Sequence, residues 1–142
     1  MNKRGAAALL RRFYEEFWNN RGFDLLPDLV TTDCQLHFAD HSHSMLSEKS
    51  RKVQRDWVNS FPDLKFTIHD IIEQGDSAAV RLTFEGTHKA FFEGIEPTNK
   101  QIRVTEMLFA RTKDGKICEM WEDYDKLGMM NQLGFKLTQQ IS

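Results

Sequence analysis

A chain of 142 residues with 40% apolar and 11% aromatic side chains is long enough to bury one core, so a single domain over 1–142 is expected. Its 19 basic and 21 acidic side chains are mixed along the chain and sum to −2, which excludes the one-sided positive field of a nucleic-acid binder. No apolar run approaches the roughly 20 residues that cross a bilayer, so no membrane partner is expected either.

The N-terminus, MNKRGAAALLRRFYEEF, opens with basic residues and a short apolar run. Arg11, Arg12, Glu15 and Glu16 interrupt that run too soon for a signal peptide, so the segment reads as a helix of the mature protein. Leu10, Phe13, Tyr14, Phe17 and Trp18 recur at three and four on one stripe of it, and Asn19, Asn20 and Gly22 end it. A second, short helix is expected over Phe23–Val30, with Pro27 in its first turn. Thr31–Phe38 reads as a brief strand and 39–47 as loop. Ser47 then caps a third helix whose Val53, Trp57 and Phe61 share a stripe, and Pro62 stops it.

After Pro62 the apolar period changes to two. Strands over Leu64–Ile72 and Ser77–Gly86 flank a Gly75-Asp76 turn, which would set Asp70 opposite Arg81 and a surface His69 opposite Leu82. Thr87–Gln101 is a longer excursion broken by Gly94 and Pro97. Strands over Ile102–Thr112 and Lys116–Tyr124 close a hairpin at Asp114-Gly115, and a helix over Lys126–Leu133 stops at Gly134. Helices followed by an antiparallel meander make an α+β fold, helices packed on one face of a curved sheet. Cys34 and Cys118 stand alone and read as reduced thiols of a cytoplasmic protein.

The closing hairpin carries a conflict that points to chemistry. Counted at every second residue, Ile117, Glu119, Trp121, Asp123 and Asp125 share a face, and a face that wants Ile117 and Trp121 buried would hold carboxylates in apolar surroundings. With a two-residue turn, Leu108 would face Trp121, Glu106 would face Asp123 and Val104 would face Asp125. Carboxylates about 5 Å apart repel, and one would keep its proton towards neutrality. A three-residue loop would undo this register, and a strand end emerging into water would account for the acids without a pocket.

Several runs resemble one known family. Phe61-Pro62-Asp63-Leu64 before a strand, Gly86-Thr87-His88 with Gly94-Ile95-Glu96-Pro97-Thr98, Asp114-Gly115-Lys116-Ile117, and Glu119-x-Trp121-x-x-x-Asp125-x-Leu127-Gly128 resemble the SnoaL-like polyketide cyclases, or ester cyclases, of the nuclear transport factor two-like fold. The resemblance implies a cone-shaped, curved antiparallel sheet wrapped around N-terminal helices with a deep pocket, and homodimers or higher oligomers built through the sheet. It also implies a cofactor-free aldol ring closure of a small apolar, oxygenated, polyketide-like molecule. One aspartate near the end of the last strand is then the acid/base, and Asp125 matches it. Two features depart from the family pattern: 39–47 lacks glycine, and Asp123 and Glu106 stand where apolar or small residues are usual.

The candidate catalytic residues are therefore Asp125, Asp123 and Glu106, with Asp125 equally placed to cap the last helix. Trp121, Trp57, Phe38, Phe92, Leu108 and Tyr14 are candidates for ligand contact, with His41 at the pocket mouth and His88 opening the long loop. His37, His41, His43 and Asp40 cluster in sequence, but no further ligand set supports zinc, and neither metal nor cofactor is expected. Paired carboxylates would equally serve an epoxide or ester hydrolase, and the same pocket would serve a non-catalytic binding protein.

Overall fold

The computed structural model of the protein describes residues 5–139, so the basic start of the chain at residues 1–4 lies outside it. Helix α1 (Ala6–Arg12) runs directly into a π-helical stretch (Phe13–Asn19), whose wider turn is of a kind that recurs at functional sites. Together they bury Leu10, Phe13, Tyr14 and Phe17 of the expected stripe, and Leu9 besides, at roughly 1.5–3 kcal/mol for each large apolar side chain, while Trp18 is half-buried. The Asn19 amide locks the end of this segment to the backbone of Phe66, donating to its carbonyl at 2.8 Å and accepting from its N–H at 2.7 Å. A 3₁₀ turn (Phe23–Leu25) leads into α2 (Leu26–Leu29).

Strand β1 (Val30–Phe38) turns back at Ala39-Asp40 into β2 (His41–Ser44), so the segment expected as loop holds an edge strand. The turn carries no glycine, and Ala39 adopts φ +54° to make it, which is why turn residues gave no signal there. Helix α3 (Glu48–Ser60) starts as expected at Ser47, whose hydroxyl accepts from the Ser50 N–H at 3.2 Å. Then follow β3 (Lys65–Gln74), β4 (Ser77–Thr87), the long loop 88–100, β5 (Gln101–Lys113), β6 (Lys116–Tyr124) and α4 (Lys126–Gln132).

The six strands form one curved sheet in the order β2-β1-β6-β5-β4-β3. All neighbours are antiparallel except β1 and β6, which run parallel because the chain returns beside its first strand only at its last. α1 lies across the inner face against β3, β4, β5 and β6. Strand β5 alternates buried and exposed residues along most of its length, with Ile102, Val104, Glu106, Leu108 and Ala110 inward. The β3–β4 hairpin keeps its expected register at Asp70↔Arg81, and their side chains meet at 2.6 Å. Beyond it His69 sits in a bulge, so Ile68 and not His69 pairs with Leu82.

The closing hairpin starts in the expected register and then leaves it. Asp114 and Gly115 both take positive φ, and Lys113↔Lys116 and Thr112↔Ile117 pair as a two-residue turn requires. Cys118 then bulges, Arg111 pairs with Glu119, and every later residue of β6 changes face. Leu108 therefore opposes Glu122 and Glu106 opposes Tyr124, in place of the expected Trp121 and Asp123, and Asp123 pairs with Met107 instead. Beside this bulge the pairing of β1 with β6 also shifts register, between Val30 and Gln35. Both cysteines of this region are unbridged, and burial, with the Cys118 sulfur next, pushes the Cys34 thiol up to about 12.

Candidate active site

Between α3, the π-helical stretch and the inner face of the sheet lies a pocket of about 600 Å³, its open mouth included. Phe13, Trp18, Trp57, Phe66, Phe84 and Leu108 make most of its apolar wall. Trp57 stands edge-on to Phe84 at 5.4 Å and to Tyr124 at 5.9 Å, and Phe38 stacks flat on Tyr124 at 4.7 Å, which holds these rings in fixed orientations. The polar groups in the wall are Glu106, Glu122, Tyr124, His43, Ser50 and Gln54.

Glu106 is 3% exposed and has no basic partner among the described residues. The Tyr14 hydroxyl, itself buried, donates to Glu106 Oε2 at 2.9 Å, and a second hydrogen bond joins the carboxyls of Glu106 and Glu122. Burial first, then the charge of Glu122 and the hydrogen bond to it, hold Glu106 well above the ordinary carboxylate range; the Tyr14 hydroxyl pulls the other way. Burial also raises Glu122, with Asp123 adding to it, but the hydrogen bond received from Glu106 lowers it. Both carboxyls are thus raised, Glu106 the further, and both line the pocket, so the pair holds a proton towards neutrality. Burial, with Glu106 and Glu122 next, raises Tyr14 well above its usual value, so it remains an O–H donor.

Tyr124 is raised as well, by burial and then by Glu93, Glu122 and Glu106, and its hydroxyl has no hydrogen-bond partner among the described residues. Burial, followed by the ammonium of Lys49, lowers His43, which is therefore neutral at neutral pH. One site thus contains a shared proton, a fixed phenol behind it and a free phenol in front. That set can take a proton from carbon, give one to oxygen and hydrogen-bond the charge that develops between those steps.

The structure brings only part of the expected set together. Glu106, Trp57 and Leu108 line the pocket, and Tyr14 stands directly behind Glu106. Phe38 and Phe92 form a second layer, against Tyr124 at 4.7 Å and Trp57 at 4.7 Å. The bulge at Cys118 sends Trp121 and Asp123 to the outer face, where Trp121 stacks on His37 at 5.2 Å and lies under the Arg111 guanidinium. His37 also bridges Ser42 at 2.6 Å and Glu119 at 2.7 Å, while exposed His41 reaches Asp40, at 3.3 Å. His88 is fully buried behind the pocket, stacked on Phe61, with Nδ1 accepting from the Thr98 N–H at 3.2 Å. Among the described residues no group of three or more His, Cys, Asp or Glu is placed to hold a metal.

Asp125 departs furthest from its expected role. It is exposed, outside the pocket, and its Oδ1 accepts from the Gly128 N–H at 2.9 Å as the N-cap of α4. A Cβ on Gly128 would collide with that carboxylate, which explains the glycine. Asp125→Ala is expected to cost about 1 kcal/mol of stability, or about 2–4 °C in Tm by thermal melting, with turnover unchanged. Sequence reasoning missed Glu122, Tyr124, His43, Ser50 and Gln54. For Glu122 a signal was present: Ile117 and Met120 lie three apart and are both apolar, which one face of a regular strand cannot accommodate.

The sequence model of the family described as SnoaL-like polyketide cyclase matches residues 8–133. No curated protein matches the chain significantly. Among solved structures, IdmH from Streptomyces antibioticus, provisionally assigned as a polyketide cyclase, is 29% identical, with a TM-score of 0.78 over 91% of this chain and 98% of that one. AclR from Streptomyces galilaeus, provisionally assigned as a hydroxylase, is 25% identical, with a TM-score of 0.82 over 94% and 97%. A SnoaL-like protein from Jannaschia sp. CCS1 shares the fold at 19% identity, with a TM-score of 0.80 over 89% and 90%.

Proposed function

The chain belongs to the SnoaL-like polyketide cyclase family, and from that premise we propose that it is a cofactor-independent acid/base catalyst of aldol ring closure or isomerisation on an apolar, oxygenated, polyketide-like ligand. The observation that carries this reading is the Glu106–Glu122 pair, backed by Tyr14 and enclosed by aromatic rings, with no neutralising cation among the described residues. In the proposed cycle the Glu122 carboxylate removes a proton from the carbon next to a ligand carbonyl. Tyr124 O–H hydrogen-bonds the carbonyl oxygen as it gains charge. The enolate carbon attacks a second carbonyl of the same molecule, and Glu106 gives its proton to the new alkoxide. Proton transfer from Glu122 to Glu106 then restores the starting pair, so the cycle consumes nothing and needs no cofactor. This assigns to Glu122 and Glu106 the role that the family resemblance gave to Asp125. We also place the protein in the cytoplasm, where two unbridged thiols would stay reduced; among the described residues no helix is long and apolar enough to cross a membrane.

The test is a carbon NMR titration of the glutamate carboxyls, with Glu106→Gln and Glu122→Gln as assignments. One carboxyl of the pair is expected to keep its proton above about pH 6, against roughly 4 for a free side chain. If both titrate as free glutamates, the proton-sharing pair and the proposed chemistry are gone together.

A further inference from the structure

α3 presents an unusual inward face. Ser50 is 2% exposed and Gln54 6%, one turn apart, at positions where a helix covering an aromatic pocket gains most from apolar side chains. Burying a primary amide is unfavourable unless its hydrogen bonds are made. Half of them are. Ser50 Oγ–H donates towards the Met45 sulfur at 3.9 Å, which leaves the same oxygen to accept from Gln54 Nε2 at 3.1 Å. This small chain fixes which way the amide points. One N–H is held by the helix, and the oxygen, without a protein partner among the described residues, belongs to a side chain that lines the pocket. The opposite wall belongs to the sheet, with Glu106 and Glu122 on β5 and β6.

We propose that Gln54, oriented by Ser50, is the specificity-determining residue of this pocket. Its amide oxygen accepts a hydrogen bond from a phenolic or enolic hydroxyl that the ligand carries away from its reacting carbonyl. The inference rests on the pocket being the reaction site, and it narrows the substrate class from oxygenated carbonyl compounds to hydroxylated ones. An acceptor with no partner discriminates in one direction: a ligand hydroxyl satisfies it, whereas an ether or a bare ring leaves it buried and unpaired. The same argument explains why Ser50 is small and polar, since an alanine there would free the amide to turn its N–H groups into the pocket.

The experiment is calorimetric binding of 2-naphthol and 2-methoxynaphthalene, a pair in which a methyl group replaces the donor hydrogen. Wild-type protein is expected to prefer the hydroxyl compound by about tenfold. Gln54→Leu should bring the two affinities within about twofold, and Ser50→Ala, a milder change that tests the inference even if Gln54→Leu fails to fold, should erase most of the preference. Glu122→Gln should leave the preference intact. A preference that survives Gln54→Leu and disappears in Glu122→Gln overturns the inference, because the hydroxyl then pairs with the carboxylate, while the acid/base reading still stands. Equal affinity in the wild type, or no binding of either compound, overturns it outright. Failure of the acid/base reading shows separately, in the carboxyl titration.

Discussion

Glu122→Gln is expected to lower kcat for intramolecular aldol closure of a linear aromatic β-diketo ester by roughly 10²–10⁴, about 3–5.5 kcal/mol of transition-state stabilisation. The substitution keeps the size and shape of the side chain, so the pocket and the ring contacts around Tyr124 are retained. What it removes is the carboxylate that Glu106 hydrogen-bonds and that faces the ligand. KM should change little, because the apolar wall that supplies most of the binding is untouched. Asp125→Asn, in contrast, should stay within about threefold of wild type, since its carboxylate lies outside the pocket and serves the Gly128 N–H. Product formation followed by chromatography separates the cases. Equal rates in wild type and Glu122→Gln would remove Glu122 from the mechanism, and a large loss in Asp125→Asn would return the role to Asp125.

The second large effect is on stability against pH. Glu106 is held above the ordinary carboxylate range in the folded protein, so the folded state keeps a proton that the unfolded chain has released. Stability is therefore greatest below the unfolded glutamate pKa of about 4.3, and falls as pH rises from there to the folded pKa. The loss through that window is about 1.4 kcal/mol per pH unit for each retained proton. For a chain of this size that corresponds to roughly 3–5 °C in Tm per unit. Glu106→Gln keeps an N–H to donate to Glu122 and an oxygen to accept from Tyr14, but has no proton to lose. Its melting temperature should rise relative to wild type as pH rises from about 4.3, the two curves diverging by that slope up to the folded pKa of Glu106. Parallel curves would mean that Glu106 ionises as easily folded as unfolded, and would contradict its burial without a cation. The same substitution should lower activity, so the acid that serves catalysis is also a liability to the fold.

Much of the architecture was legible because local rules and the tertiary result agree. The stripe Leu10, Phe13, Tyr14, Phe17 and Trp18 belongs to one helical segment, though its second half is π-helical. Ser47 caps α3, Gly75 and Asp114-Gly115 turn where expected, and Asp70 meets Arg81. The edge strand β2 was not legible, since a turn through Ala39 with positive φ has no residue-type signal. Nor was the parallel pairing of β1 with β6, which depends on a return across the whole chain.

The candidate site divides along the same line. Glu106 was named from a pairing with Asp123 that the bulge removes, and its inward place follows instead from the unbroken alternation of β5 with Val104 and Leu108. Its partner was not named, because the count along β6 began at Ile117 and passed straight through the bulge at Cys118. Side chains on a strand alternate with period two, so one inserted residue exchanges all faces beyond it. That exchange moved Trp121 and Asp123 outward and brought Glu122 and Tyr124 in. The sequence by itself determined the α+β class, the helical stripe and the turns, and named Glu106 as a candidate acid. Only the tertiary structure decided which second carboxyl shares its proton, that Asp125 caps a helix, and that His43, Ser50 and Gln54 line the pocket. The reason is physical: periodicity sets faces within an unbroken element, whereas bulges and the meeting of distant elements are settled by packing.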